Sequence, residues 1–286
     1  MPSFIRVVET WVPSQDGTLL EFHEGLYHAA PHFGALSRSM CFGRGEGLPG
    51  RVWDAGRPLL LPRFEGSYFL RTPAAQAAGL RCAVALPCFR GEALAAVMVL
   101  LCGDDTVGAG AIELWHHDPR IGSDMTLVDG WFGDGSGGFE ALSRDAYLPR
   151  GVGLPGRAWQ SGEPVHLPDL QAEGARFLRS PEADAAGLQQ GLAVPLETRA
   201  EAVCVLTVLA SHHLPIARRL QRWQAGAAQP LYDTGEGLAG APDPQPLLAG
   251  VVDTGVPALL PQPAGGTVLW PVTAAGQVHE VLVLGL

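Results

Sequence analysis

The chain has 286 residues, of which 47% are apolar and 17% charged, so it has ample material for a buried core. Its net charge of −10 disfavours a nucleic-acid partner and an anionic membrane surface, both of which need a basic face on the protein. The chain contains no lysine and no asparagine, which excludes a lysine Schiff base and the lysine of a phosphate-binding loop.

The expected location follows from three patterns. No apolar run reaches the roughly 18 residues of a transmembrane helix. The opening segment, MPSFIRVVETW, has no basic region followed by an apolar one, so we expect no signal peptide. The five cysteines lack CxxC spacing and are too few for a disulfide scaffold. We therefore expect a cytoplasmic protein.

Internal repeats organise the sequence. Residues 47–51 and 153–157 both read GLPGR, and FLRTPAAQAAGL (69–80) is echoed by FLRSPEADAAGL (177–188). A fainter third copy, LLAGVVDTGVPALLP (247–261), is not followed by an FLR segment. We therefore predict two full units and a truncated third. The predicted units are residues 1–106, 107–214 and 215–286.

The elements of each unit are predicted in the same order. An opening strand ends at a tryptophan (IRVVETW, AIELW, RRLQRW), a short helix being an alternative in the third unit. The GLPG segment then begins a short helix that a glycine ends. In the first two units a second helix follows, with Thr72 or Ser180 as its N-cap and a proline at its first position.

A β-hairpin closes each unit. The predicted turns lie near Arg90-Gly91, Arg199-Ala200 and Ala275-Gly276. Each unit is thus an antiparallel sheet with short helices on one face, which places the chain in the α+β class.

These residues resemble the GAF domain family. The resemblance rests on G-x-GLPGR-x-W-x-x-G-x-P, on a helix ending A-A-G-L, and on a strand ending V-P before a hairpin. It covers nearly all of the first two units and part of the third. It implies a six-stranded antiparallel sheet, a small-molecule pocket enclosed on the helix-covered face, and a role in sensing or dimerisation.

Departures from the family pattern bear on packing and function. The long terminal helices that cover the back of the sheet in the family are missing, and an uncovered apolar sheet face is an association site. We therefore expect the sheets to pack back to back, within the chain, across a homodimer, or both. No output domain and no catalytic signature is visible, so we expect a protein that is not an enzyme and reports through a separate effector protein.

The candidate ligand-binding residues belong to the segments that the resemblance places in the pocket wall. They are Tyr68, Phe69, Arg71 and Arg81 in the first unit, and Phe177, Arg179, Gln189 and Gln190 in the second. Arg71 and Arg179 suit bidentate binding of a carboxylate or phosphate. Alternatively, each arginine braces its own helix or pairs with a local acid such as Glu65 or Glu173.

Other side chains point to structure rather than chemistry. Trp53 and Trp159 are expected to anchor the core. Cys82 and Cys88 are about 20 Å apart along one strand, too far for a disulfide. The second unit repeats no paired cysteines, which argues against a GAF-like free methionine sulfoxide reductase. Neighbouring histidines, as at His116, point to opposite faces of a strand, so we expect no metal and no cofactor.

Two functions stay open at this point. The first is a non-enzymatic cytoplasmic regulator, with pockets filled by their own side chains, that acts on a separate effector protein through protein–protein interaction and dimerisation. The alternative is a sensor that binds a small anionic metabolite or nucleotide in the pockets of the first two units.

Overall fold

The computed structural model of the protein describes residues 3–28, 30–103, 109–199, 202–235, 243–263 and 265–286. These residues form three antiparallel sheets, and we call the chain segments that build them units 1, 2 and 3. The predicted α+β class of repeated units is confirmed. The predicted boundary between units 1 and 2, and Ala200 of the second hairpin turn, lie outside the described residues.

The helices and strands are as follows. Unit 1 comprises β1 (Ile5–Pro13), β2 (Leu20–Leu26), α1 (Pro31–Ser37), β3 (Cys41–Phe42), α2 (Gly47–Ala55), β4 (Leu59–Leu61), α3 (Thr72–Ala77), β5 (Cys82–Arg90) and β6 (Ala93–Cys102). Unit 2 comprises β7 (Gly110–His117), β8 (Met125–Phe132), α4 (Gly137–Asp145), β9 (Tyr147–Leu148), α5 (Gly153–Ser161), β10 (Val165–Leu167), a short 3₁₀ helix (Glu173–Ala175), α6 (Ser180–Ala185), β11 (Gln190–Leu196) and β12 (Val203–Ala210). Unit 3 comprises β13 (Arg219–Gln224), β14 (Tyr232–Asp233), α7 (Gln245–Thr254), β15 (Ala258–Gln262), β16 (Gly265–Ala274) and β17 (Gln277–Gly285).

One strand order recurs in the three sheets. Unit 1 has the order β3-β2-β1-β6-β5-β4, and unit 2 repeats it as β9-β8-β7-β12-β11-β10. Unit 3 has five strands in the order β14-β13-β17-β16-β15. Its opening element is the strand β13, so the alternative of a short helix there is wrong.

The GLPG helices depend on a glycine in their first turn and on another that ends them. Helix α2 ends at Gly56 with φ of 60° and α5 ends at Gly162 with φ of 71°, a left-handed conformation that glycine adopts without strain. The second glycine of the motif, Gly50 or Gly156, packs so closely that a Cβ there would overlap the carbonyl oxygen of Gly43 or Pro149. The repeated sequence therefore encodes the close packing of each helix's first turn and the point at which the helix ends.

The start of the second helix differs from the prediction. The N-cap residues of α3 and α6 are Arg71 and Arg179, and neither Thr72 nor Ser180 makes a capping bond. The Thr72 hydroxyl instead donates to the carbonyl of Phe69 at 2.9 Å, and Ser180 donates to the carbonyl of Leu170 at 3.2 Å. The hydroxyls are engaged by the segment before each helix, which explains the displaced cap.

Each central strand separates two cores. Along β6, Met98 and Leu100 face away from the helices, while Val97 and Val99 face them. The residues that face away from the helices in all three sheets form one continuous cluster, which we call the shared core. It includes Met98, Leu100, Leu206, Trp270 and Leu282, among others. The expectation that the sheets pack back to back within the chain is confirmed.

The units meet in cyclic order. Strand β4 of unit 1 contacts β8 of unit 2, and β15 of unit 3 contacts β2 of unit 1. Strand β10 of unit 2 reaches β14 of unit 3 through a hydrogen bond between His166 Nδ1 and the Tyr232 hydroxyl at 3.0 Å. Two hairpin turns also meet, because the Gly91 amide donates to the Gly276 carbonyl at 2.7 Å. The three units therefore close into a ring around the shared core.

Candidate functional site

The predicted site residues fall into separate places. Phe69 and Phe177 lie beside Arg71 and Arg179 in the cores of units 1 and 2. The other four do not bond to either arginine. Tyr68 is half-buried with the Arg51 guanidinium over its ring, Arg81 reaches Asp134 of unit 2 at 3.2 Å, the Gln189 side chain accepts the His212 amide, and the Gln190 side chain donates to the Ser211 carbonyl.

A closed polar cluster lies at the centre of unit 1. The Arg71 guanidinium donates to both carboxylate oxygens of Glu9, at 2.6 and 2.9 Å, and also to the Ser37 hydroxyl at 2.5 Å. The Tyr27 hydroxyl and the Trp11 indole N–H donate to the same carboxylate, at 3.0 and 3.2 Å. Burial and the Glu9 charge raise the pKa of Tyr27 well above its usual range, so it remains a donor.

Unit 2 repeats this cluster. Arg179 donates to both oxygens of Glu113, at 3.0 Å on the Nη2 side, and to the Ser143 hydroxyl. The Trp115 indole N–H donates to Glu113 at 3.0 Å. The guanidinium of each cluster is thus paired with a carboxylate of its own opening strand, rather than with the nearby Glu65 or Glu173 that the sequence suggested.

Aromatic rings fill the space around each ion pair. The Arg71 guanidinium lies 4.5 Å from the centre of the Phe33 ring and 5.3 Å from that of Phe69. In unit 2, Phe139 and Phe177 take the same places around the corresponding arginine, at 4.6 and 5.2 Å. A buried arginine in this setting is desolvated on its faces and neutralised at its edge. In both units, the chain's own side chains thus engage the arginine, and in unit 1 Arg71 also borders an open groove between α1 and α3.

Sequence reasoning missed the acidic and hydroxyl partners of the arginines. A signal for them exists, because the residues F-x-A-L-S-R recur at 33–38 and 139–144 and carry both serines. The glutamate two residues before the tryptophan also recurs in VETW and IELW, and unit 3 has glutamine in its place. A covarying Glu, Ser and Arg is the pattern of a shared buried network.

The described residues of unit 3 form no such cluster on the helix-covered face. The residue that corresponds to Glu9 is Gln221, whose amide donates to Asp233 at 3.0 Å. The indole N–H of Trp223 has no hydrogen-bond partner among the described residues.

An open cavity of about 530 Å³ lies between units 1 and 2. It is bounded by the edge strand β4 on one side and by β7, β8 and β12 on the other. Its walls are formed by Arg57, Pro58, Leu59, Leu60, Tyr68, Leu114, His116, Val128, Asp129, Thr198 and Cys204. Of the predicted site residues, Tyr68 is the one that lines it.

Burial shifts the titration of the groups in this wall. It raises the pKa of the Asp129 carboxyl and the Tyr68 hydroxyl and lowers that of His116. It also raises the pKa of the Cys204 thiol to about 12. The positive charge of Arg57 opposes burial by lowering the pKa of Asp129, Tyr68 and Cys204. At neutral pH, Arg57 and Asp129 are therefore the charged groups of the wall, and His116 is neutral.

The paired histidines lie on opposite faces of β7. His116 faces the cavity, while the ring of His117 packs against Trp159 at a centroid distance of 4.2 Å and a tilt of 32°. Trp159 is half-buried, whereas its counterpart Trp53 is buried in the core of unit 1. Within the described parts of the chain, no three His, Cys, Asp or Glu side chains are grouped as metal ligands would be.

An apolar groove of about 420 Å³ runs along the outer side of unit 1, between α1 and α3. Leu36 and Leu70 line it and are 39% and 54% exposed. The corresponding residues of unit 2, Leu142 and Leu178, are 40% and 60% exposed. The same pair of leucines thus faces outward in both units.

The cysteines are free thiols. Cys41 is exposed, and the other four lie in the shared core rather than beside the ion pairs. None of the helices within the described residues is long and apolar enough to cross a membrane.

With its strand order and one-sided helices, the chain consists of repeated GAF-like α+β units. No protein-family model matches the chain, and no curated protein matches it. Solved structures that match part of it include GAF domains.

A free methionine-R-sulfoxide reductase from Neisseria meningitidis, in complex with its substrate, is 19% identical with a TM-score of 0.28, over 38% of this chain and 56% of that one. An NreA protein from Staphylococcus aureus, mutated in its nitrate-binding site, is 16% identical with a TM-score of 0.30, over 38% and 76%. The GAF domain of a phosphoenolpyruvate-protein phosphotransferase from Coxiella burnetii is 22% identical with a TM-score of 0.28, over 36% and 56%. The matched part thus spans little more than half of the reductase and of the phosphotransferase domain.

Proposed function

We propose that this protein is a non-enzymatic cytoplasmic regulator that acts by binding a separate effector protein. The observation that carries the proposal is the closed ion pair in the core of both full units. Arg71 and Arg179 are each 4% exposed and bonded to a carboxylate of the chain itself. A buried arginine that is neutralised by a carboxylate of the chain itself is a structural ion pair, and a bound acid would have to compete with that carboxylate for it.

The outward-facing leucines support protein binding as the mode of action. Exposed leucines occur singly on most proteins, but here the same two positions are exposed in both full units. In unit 1 they border an apolar groove, which is the kind of surface that protein partners cover. Contact through both units would bind the effector protein at two equivalent places.

Site-specific photo-crosslinking in cells tests this proposal. The crosslinking amino acid p-benzoylphenylalanine is placed at Leu70, at Leu178 and, as a control, at Leu231 of unit 3, which is 58% exposed. We expect the same protein to be captured from the first two positions and not from the control. Absence of position-dependent capture would contradict the proposal, and capture of a second copy of the chain alone would replace the effector by self-association.

The identified partner is then tested in purified form. Leu70→Ser and Leu178→Ser should weaken its binding at least tenfold without changing the stability of the chain, because both side chains are mostly exposed. Unchanged binding by both variants would show that the crosslinks report mere proximity.

A further inference from the structure

The contacts between units differ at one equivalent position. In each unit, the residue just before the tryptophan of the opening strand pairs with a residue on the next strand of the sheet. That partner is Glu24 in unit 1, Asp129 in unit 2 and Tyr232 in unit 3. Each faces the edge strand of the preceding unit in the ring. The residues at the matching register of those edge strands are Leu259, Leu60 and His166.

Two of these three contacts are closed by a direct bond. The Glu24 carboxylate accepts the Leu259 amide at 2.8 Å, and the Tyr232 hydroxyl bonds to the His166 ring at 3.0 Å. Asp129 makes no such bond to β4 within the described residues; its carboxylate accepts only the neighbouring Gly130 amide, at 2.9 Å. The cavity of about 530 Å³ lies where this third bond is missing.

The cavity combines two opposite charges with an apolar floor. Arg57 and Asp129 both line it, yet they form no ion pair with each other. Leu60, Leu114 and Val128 provide apolar surface in the same wall. A cavity of this size falls in the range of small-molecule sites, which are mostly apolar with a few polar groups that orient the ligand.

We infer that the interface between units 1 and 2 binds a free α-amino acid with an apolar side chain. Its carboxylate pairs with Arg57, its ammonium pairs with Asp129, and its side chain lies against Leu114 and Val128. Such a ligand supplies the bridge between the two units that Glu24 and Tyr232 supply at the other two contacts. This site differs from the filled cores of the units and is independent of the proposed effector.

The charge states of the wall agree with a zwitterion. Burial raises the pKa of Asp129 although the charges of Arg144 and Arg57 act in the opposite direction, so a bound ammonium group would further stabilise its charged form. Because burial lowers the pKa of His116, this ring is neutral and does not compete for that carboxylate. The Tyr68 hydroxyl remains available as a hydrogen-bond donor.

Isothermal titration calorimetry on the full chain at neutral pH tests the inference. The probes are L-leucine, L-valine, L-methionine and L-phenylalanine, followed by the 2-oxo acid and the decarboxylated amine of the best binder. We expect saturable binding of at least one amino acid, and about tenfold weaker binding of each analogue, because each lacks one charged contact. No binding of any of the four amino acids at millimolar concentration would overturn the inference.

Paired variants assign the two ends of the ligand. Arg57→Gln should weaken binding of the amino acid and of the 2-oxo acid about tenfold but leave binding of the amine unchanged. Asp129→Asn should weaken binding of the amino acid and of the amine about tenfold but leave binding of the 2-oxo acid unchanged. Val128→Trp should abolish binding by filling the cavity from an exposed position. Glu24→Gln, at the equivalent closed contact, is the matched control and should leave binding unchanged. Binding that is insensitive to both Arg57→Gln and Asp129→Asn would place the ligand elsewhere and overturn the inference.

Discussion

Unit 3 differs from units 1 and 2 on one face of its sheet and matches them on the other. On the helix-covered face, units 1 and 2 bury a carboxylate against an arginine, whereas unit 3 has Gln221 and no FLR segment. On the opposite face, Val268, Trp270 and Leu282 join the shared core as fully as their counterparts do. The two halves of the ion pair are therefore absent together, while the surface that closes the ring is kept.

Physical chemistry explains why the pair is absent as a set. A buried carboxylate without its partner is an uncompensated charge in a low-dielectric environment, which costs several kcal/mol. A unit that has no arginine-bearing segment is therefore more stable with a neutral residue at this position of the opening strand. The shared core has no such alternative, since its apolar surface in units 1 and 2 needs unit 3 as cover.

The largest effect is expected when one half of the pair is removed. Arg71→Met leaves Glu9 buried and unpaired and should lower the free energy of unfolding by about 3–5 kcal/mol. Adding Glu9→Gln, the residue type found in unit 3, should restore most of that loss. Equilibrium urea unfolding measures both changes. The exposed Arg144, paired with Glu140, serves as control: Arg144→Met should cost at most about 0.5 kcal/mol. A double variant as unstable as Arg71→Met alone would refute this account.

The next effect concerns the contact between units 2 and 3. Burial lowers the pKa of His166 to about 4. Between pH 6.5 and that value, His166 is therefore protonated in the unfolded chain but neutral in the folded chain. Folding stability should therefore fall by about 2 kcal/mol from pH 7 to pH 5 through this residue. The measurement is the difference in urea unfolding between the wild type and His166→Gln at both pH values. His23→Gln, at an exposed site, should behave as the wild type; an equal acid response from His166→Gln would contradict the prediction.

A smaller effect should separate the closed contact from the open one. Glu24→Gln weakens the charge-assisted bond to the Leu259 amide and should cost about 1 kcal/mol of unfolding free energy. Asp129→Asn removes a half-buried charge that makes no hydrogen bond to β4 within the described residues, and it should be neutral or slightly stabilising. Thermal unfolding in the absence of added ligand compares the two variants. A larger loss from Asp129→Asn would mean that the contact between units 1 and 2 is closed after all.

The smallest effect is one of reactivity and reports on the shared core. Burial raises the pKa of the Cys88 and Cys204 thiols to about 12 and raises those of Cys82 and Cys102 as well. Only thiolates react readily, so iodoacetamide should label Cys41 in the folded protein and all five thiols after denaturation. Mass spectrometry of the labelled peptides gives the answer. Labelling of Cys88 at a rate near that of Cys41 would show that the shared core opens easily.

Local features of the fold could be predicted from the sequence because they depend on short-range geometry. Glycines with positive φ end the helices at Gly56 and Gly162, and continuous apolar runs mark the central strands β5 and β6, which are buried on both faces. The N-cap prediction at Thr72 was wrong because its hydroxyl bonds to the preceding segment, a contact that helix signals do not encode.

The candidate sites were harder to predict because they are long-range. The partner of Arg71 lies 62 residues away on β1, whereas sequence proximity pointed to Glu65. The cavity between units 1 and 2 belongs to neither unit alone. It arises from the difference between equivalent residues at three interfaces, and that difference becomes visible only when the register of each sheet is known.

The ring has a consequence for the nascent chain. The bond between Leu259 and Glu24 joins residues 235 positions apart, and the shared core is complete only when β15–β17 are in place. Ribosomes add roughly 5–20 residues per second, so the apolar sheet faces of the first two units stay exposed for several seconds until unit 3 has been synthesised. During that interval aggregation competes with closure, and we expect a chaperone that shields such surfaces to raise the yield of native protein.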